Sequence, residues 1–320
     1  MSSVFKTRLD ASDVSVISKV LSEGDLGFGS NVGLLEESFR PFSRKNNNIA
    51  TNSASASAFM LFAYLKDKYG VCDVYTTSLG FTSPCWSAIH LGHNLHFVDV
   101  NDDLQFSSKH YRSIRKNSSA KVVVMPVLYG GVSDIDNFNL FGDEIVIVDS
   151  AHCATPTIPS DFTFFSFHPY KPICSSDGGM ISTNQEEAID YLRSYRNFGR
   201  VATSDGYTVN QDGFKFYMNN LNATITLTQL KKYKERLKLR RNNFTSIGRK
   251  YTLLPHDSES SFYFATALVD DADEVISRKG WSRHYPMLHK MPYYSDSSTL
   301  PNLESIHSKI LNIPLWRDDG

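Results

Sequence analysis

Lys171 closes the segment Phe164-Phe165-Ser166-Phe167-His168-Pro169-Tyr170-Lys171, and Asp177-Gly178-Gly179-Met180-Ile181-Ser182-Thr183 follows it. The run before the lysine is strongly apolar, and a glycine pair opens the next apolar run. That is an unusual setting for a lysine whose only task is to be solvated. Burial and neighbouring positive charge lower an amine's pKa and make it a better nucleophile and base. Upstream, Ile145-Val146-Ile147-Val148 reads as a strand that ends in Asp149. Ligands of open α/β sheets bind just past the carboxyl ends of strands, where Asp149 stands. An amine that can condense with an aldehyde, and an anion that can keep a heteroaromatic nitrogen protonated, are what pyridoxal phosphate requires of a protein.

Other segments are weaker taken singly. Thr51-Asn52-Ser53-Ala54-Ser55-Ala56-Ser57-Ala58 leads into an apolar helical pattern. Small residues and a helix N-terminus suit a phosphate, because free N–H groups and the positive end of the dipole face it. An ordinary serine-rich helix start fits the same residues, and the segment alone favours that plainer reading. Phe81, in Ser78-Leu79-Gly80-Phe81-Thr82-Ser83-Pro84, can stack on a flat ring, or it is one more core residue among 21 phenylalanines. His152 can hydrogen-bond a phenolic oxygen, or it is a satisfied half-buried histidine.

The elements that must position these residues alternate. A helix is expected over Ala11 to Leu21, a glycine-rich turn over Gly24 to Gly29, and a second helix near Leu34 to Phe42. Phe59 to Leu65 reads as a buried helix. Leu95 to Val100, Lys121 to Met125 and Glu144 to Val148 read as strands, and the β-branched runs suit strands covered on both faces. Alternation of this kind predicts an α/β fold with a largely parallel sheet. Asn184 with Glu187 is expected to cap a helix running through Tyr195. A long helix is expected from about Asn219 to Ile247, with Leu221, Ile225, Leu227, Leu230, Leu237 and Phe244 as its apolar positions. Phe262 to Val269 reads as a strand, and Asp271 to Lys279 as a short helix ended by Gly280. The division expected is a large unit, 1–246, and a smaller α+β unit, 247–320.

With 33 basic and 34 acidic residues in 320, the net charge is −1, which argues against nucleic acid as the main partner. The basic run Lys231, Lys232, Lys234, Arg236, Lys238, Arg240 and Arg241 reads as a solvated helix face, since no aromatic platform accompanies it. No apolar run approaches the ~20 residues that span a bilayer, and the opening Met1 to Lys6 carries no signal-peptide core. The four cysteines form no CxxC pair, and no histidine spacing suggests a metal. A cytoplasmic protein with reduced thiols is expected.

Taken together and in order, the segments resemble the DegT/StrS family of pyridoxal-phosphate-dependent sugar-nucleotide aminotransferases. The resemblance runs over nearly the whole chain and implies the fold type I aminotransferase architecture. It places Lys171 as the Schiff-base lysine and Asp149 on the pyridinium nitrogen. It puts Asn52 to Ala56, with Ala54 and Ser55, at the phosphate turn, Ser166 on the phosphate, Phe81 against the ring and His152 beside the phenolic oxygen. Tyr195 to Arg200 and Arg283 to Pro286 are further family-like stretches. The implied substrates are L-glutamate as amino donor and a nucleotide-linked keto-sugar as acceptor, with an active site at a homodimer interface. Several positions depart from the pattern. Ala54 stands where a glycine is common. Lys215-Phe216-Tyr217 replaces an Asn-x-Arg loop that reaches the neighbouring subunit's cofactor phosphate, so Lys215 is a candidate for that charge. The stretch from Asp149 to Ser166 is short, and relatives continue past Gly320. A sugar 3-dehydratase is a competing reading, but there histidine replaces the lysine, and Lys171 argues against it. A lyase or aldolase on the same fold, or a non-catalytic relative acting as regulator or scaffold, are the others.

Overall fold

The computed structural model describes residues 9–117, 120–131, 140–294 and 298–315; the opening Met1 to Lys6 and the terminal Trp316 to Gly320 lie outside them. Three helices come first: α1 (Ala11–Glu23), α2 (Ser30–Ser38) and α3 (Arg40–Ser43). Then β1 (Asn47–Thr51), α4 (Ala54–Tyr69), β2 (Asp73–Thr77), α5 (Thr82–His90), β3 (Asn94–Val98), α6 (Ser108–Ile114), β4 (Lys121–Pro126), β5 (Glu144–Asp149), β6 (Phe162–Ser166) and β7 (Gly179–Thr183) alternate. They are followed by α7 (Ile189–Tyr195), the hairpin β8 (Arg200–Thr203) and β9 (Gly206–Val209), and α8 (Asn220–Ile247). The last elements are β10 (Phe264–Leu268), α9 (Ala272–Lys279), α10 (Pro301–Ile306) and β11 (Ile310–Pro314).

One sheet carries the order β1-β7-β6-β5-β4-β2-β3. Only β7 runs antiparallel to its neighbours; β3, β2, β4, β5 and β6 pair in parallel. The fold is therefore α/β around a mostly parallel sheet, as the alternating pattern predicts. Strand side chains alternate between faces, and β6 shows this directly. Phe164 joins a cluster with Leu61, Phe62, Leu65 and Val124 under α4. Phe165 joins Leu35, Phe39, Met180 and Leu230 under α2 and α8. Each such side chain contributes roughly 1.5–3 kcal/mol on burial. Both faces are covered, which is why the central strands are continuous apolar runs. The expected helices and strands form, with ends shifted by a few residues. Beyond α8, β10 and β11 pair antiparallel, and α9 packs on them through Val275. Among the described residues no helix is long and apolar enough to cross a membrane.

Three features differ from the sequence expectation. The cap on α7 does not form: a short 3-10 turn, Glu186–Ala188, precedes the helix, whose first turn has no side-chain cap. Asn184 instead accepts the Asn46 N–H at 2.8 Å, beside β1. β1 itself, Asn47-Asn48-Ile49-Ala50-Thr51, looks too polar for a buried strand. It is buried because Asn48 donates to the Glu36 carbonyl at 2.9 Å and accepts from the Ser182 hydroxyl at 2.6 Å. The basic run on α8 is also only partly a solvated face. Lys231, Lys234, Lys238 and Arg241 are exposed, but Arg240 is buried and donates to the Pro172 carbonyl at 3.2 Å. Lys232 pairs with Asp13 on α1 and with Asp10, which caps that helix.

Candidate active site

Four neighbouring strands deliver residues to one edge of the sheet. Phe81, Pro126, Asp149 and Ser166 follow or end β2, β4, β5 and β6, and all line a cavity of about 420 Å³. Lys171, from the turn after β6, lines the same cavity. This is the carboxyl edge, where open α/β sheets bind ligands.

The turn between β1 and α4 forms one wall. Ser53 caps α4 by accepting the Ala56 N–H at 3.1 Å, and Ser53, Ala54 and Ser55 face the cavity. β7 presses against this turn. A Cβ on Gly179 would lie 2.5 Å from the Ser53 carbonyl carbon, so only glycine allows the approach. The open first turn of a 16-residue helix, edged by hydroxyls, offers N–H donors for an anionic oxygen cluster.

Asp149 is buried, and its Oδ1 accepts the Ala151 N–H at 3.0 Å. Among the described residues no other group donates to this carboxylate. Burial raises its pKa to about 6, against the pull of the Ala151 N–H and the Lys171 charge. The Lys171 N–H closes a turn onto the His168 carbonyl at 2.9 Å, which aims the side chain inward. Its Nζ lies 5.0 Å from the centre of the Tyr263 ring. Burial lowers the Lys171 pKa to about 8, partly countered by Asp149. The two groups attract one another across the cavity without a direct ion pair.

His152 lies on the cavity wall with both ring nitrogens engaged. Nδ1 receives the Tyr129 N–H at 3.2 Å, and Nε2 is 2.8 Å from the Tyr285 hydroxyl. The ring stacks on Tyr263, with centroids 4.2 Å apart. Burial first, then the Lys171 charge, hold its pKa well below the ordinary histidine value. Ser166 Oγ receives the His168 N–H at 3.3 Å. Phe81 is 54% exposed and stands edge-on to Tyr285, with centroids 6.1 Å apart.

Seven of the eight expected site residues thus meet: Ala54, Ser55, Phe81, Asp149, His152, Ser166 and Lys171. Lys215 does not. It is exposed outside the cavity, with its Nζ 5.6 Å from the Tyr217 ring and its carbonyl receiving the Asn52 side chain at 3.0 Å. Sequence reasoning assigns no role to Tyr263 or Tyr285, yet both line the cavity. Tyr263 sits in an apolar run that reads only as a strand. Tyr285 lies 133 residues from His152, so no local spacing could join them.

The profile of the DegT/DnrJ/EryC1/StrS aminotransferase family matches residues 7–318. The chain belongs to this family. It is an aminotransferase, and the family's cofactor is pyridoxal phosphate. The chain is 28% identical to the spore coat polysaccharide biosynthesis protein SpsC of Bacillus subtilis over 355 residues, covering 95% of this chain and 89% of that protein. It is 26% identical to a UDP-4-amino-4,6-dideoxy-N-acetyl-beta-L-altrosamine transaminase of Campylobacter jejuni, covering 91% of this chain and 77% of that enzyme. Among solved structures, Helicobacter pylori PseC, an aminotransferase involved in the biosynthesis of pseudoaminic acid, superposes with TM-score 0.89 at 18% identity, covering 98% of this chain and 93% of that one. The residues present fit the cofactor: a desolvated amine, a buried carboxylate with one oxygen receiving no donor among the described residues, and an open helix turn share one cavity.

Proposed function

We propose that this aminotransferase moves an amino group from L-glutamate to a ketone of a nucleotide-linked deoxyhexose. Lys171 and Asp149 lining one cavity is the observation that carries the aminotransferase chemistry. The nucleotide-sugar substrate rests on the curated relatives, one of them a UDP-amino-sugar transaminase.

Bound pyridoxal phosphate would supply an aldehyde and an electron sink for the amino acid's α-carbon electrons. Lys171 would hold the aldehyde carbon. With a pKa near 8, an appreciable share of its amine is unprotonated close to neutral pH, as bond formation requires. Its free amine would move a proton at the substrate α-carbon, as base and then as acid. Asp149 would keep the pyridine nitrogen protonated. Its buried carboxylate has little other hydrogen bonding, so a cationic N–H is the partner it lacks. The first turn of α4 and Ser166 would take the phosphate. Tyr263 and Phe81 would wall the ring and restrict water.

The same reading includes a homodimer in the cytoplasm, in which Lys215 of one copy faces the phosphate of the other, and a product destined for O-antigen, capsule or a glycosylated metabolite. It also includes the division into a cofactor-binding unit, 1–246, and a smaller unit, 247–320. Two features support the dimer: Lys215 is exposed away from its own cavity, and the hairpin β8–β9 beside it exposes Tyr207 and Val209. The test is a panel of keto-sugar nucleotides assayed with glutamate for 2-oxoglutarate release, with sedimentation of the holoenzyme. Acceptor-dependent release supports the reading. A protein that takes up the cofactor but transfers no amine to any member of the panel would overturn it.

A further inference from the structure

The tautomer of His152 is fixed by its surroundings. A backbone N–H can only donate, so Nδ1, 3.2 Å from the Tyr129 nitrogen, is the unprotonated nitrogen. A neutral ring then carries its proton on Nε2. That N–H donates to the Tyr285 hydroxyl oxygen at 2.8 Å. The ring cannot rotate away, because it stacks on Tyr263 at 4.2 Å. His152 therefore has no donor left for a ligand.

Tyr285 is in the opposite position. Its oxygen accepts from His152, and its own O–H has no acceptor among the described residues. The side chain lines the cavity with Asp149 and Lys171 and stands edge-on to Phe81. A phenol so placed is a donor in need of an acceptor from the ligand. Burial, with Tyr263 and Asp149 nearby, keeps it protonated.

We propose that Tyr285 is the hydrogen-bond donor to the cofactor's phenolic oxygen, and that His152 is a positioning residue which holds Tyr285 there instead of touching that oxygen itself. The proposal rests on pyridoxal phosphate being bound through Lys171. The contact serves a physical purpose: the phenolic oxygen is next to the aldehyde carbon that Lys171 holds, and a donor there stabilises the oxyanion that partners the protonated nitrogen.

The test is a binding cycle, read by equilibrium dialysis and fluorescence quenching instead of turnover. Wild type, Tyr285→Phe, His152→Ala and His152→Gln are each titrated with pyridoxal phosphate and with its 3-deoxy analogue, which lacks the phenolic oxygen. Wild type is expected to prefer the natural cofactor by roughly tenfold to a hundredfold, the range for one hydrogen bond to a charged oxygen. Tyr285→Phe is expected to shrink that preference by roughly tenfold or more, leaving only what the oxygen's contact with the protonated nitrogen supplies. His152→Ala should reduce it, and His152→Gln, whose amide can still donate to Tyr285, should restore most of it. A merely structural role would weaken both ligands equally and leave the preference intact. If Tyr285→Phe keeps the preference, or His152→Ala abolishes it while Tyr285→Phe does not, the proposal is overturned. If neither ligand forms a Lys171-dependent visible band with wild type, the cofactor reading fails instead, and the two failures are told apart by that band.

Discussion

Replacing Lys171 by Met in the cofactor-free protein should make it more stable, and the gain should depend on pH. The unfolded lysine keeps its proton up to about 10.5, while the folded one keeps it only up to about 8, because burial penalises the ammonium. At about 1.4 kcal/mol per pH unit, that gap corresponds to a cost of roughly 3 kcal/mol when both states are charged. The gap already includes the attraction of the Asp149 carboxylate, which raises the folded value. Solvent screening in the partly open cavity offsets part of the gain, leaving about 1–2 kcal/mol at pH 7. The sign follows from the proton count. Between pH 8 and 10.5 the unfolded state binds more protons, so wild-type stability rises with pH there and the advantage of Met fades. Urea midpoints of apo wild type and Lys171→Met, followed by intrinsic fluorescence from pH 7 to 10.5, measure it. A variant less stable than wild type at pH 7, or an offset that does not change with pH, would refute the claim that the amine is held in a desolvated site.

Three further outcomes follow from the same geometry. Asp149→Asn should retain the cofactor but slow the proton-transfer step by roughly 10²-fold or more, measured by single-turnover kinetics with glutamate; an unchanged rate removes Asp149 from the mechanism. Gly179→Ala should push β7 off the Ser53–Ala54 turn, where the new Cβ meets backbone at 2.5 Å, with a stability loss of about 2 kcal/mol and weaker cofactor affinity; wild-type affinity would show that this turn does not hold the phosphate. Arg240→Met should change stability by less than about 1 kcal/mol, because the buried guanidinium donates to one carbonyl and leaves Nη1 without a partner; a loss beyond about 2 kcal/mol would mean the arginine is a structural anchor.

The chemistry was legible where it is local. Lys171 and Asp149 each end or follow an apolar strand, and parallel strands put their carboxyl ends on one edge, so sequence alone could bring them together. The turn from Ser53 to Ser55 reads on its own as an ordinary helix start, and only the family resemblance marks it for a phosphate. His152 was legible as a site residue, but its partners were not: Tyr129, Tyr263 and Tyr285 reach it only through the tertiary fold. β1 was missed because its buried Asn48 is satisfied inside the protein, a fact no polarity pattern reveals. The basic run misled for a related reason. A helix of 28 residues crosses several environments, and Arg240 happens to turn inward toward Pro172 where its neighbours in sequence face water.

The most direct test of the account is chemical mapping of the cofactor's attachment point. The holoprotein would be reduced with borohydride, digested, and its peptides weighed. The account predicts a single pyridoxyl group, on Lys171, and none on Lys171→Ala protein. A pyridoxyl group on another lysine, or none anywhere after saturation with pyridoxal phosphate, would contradict it.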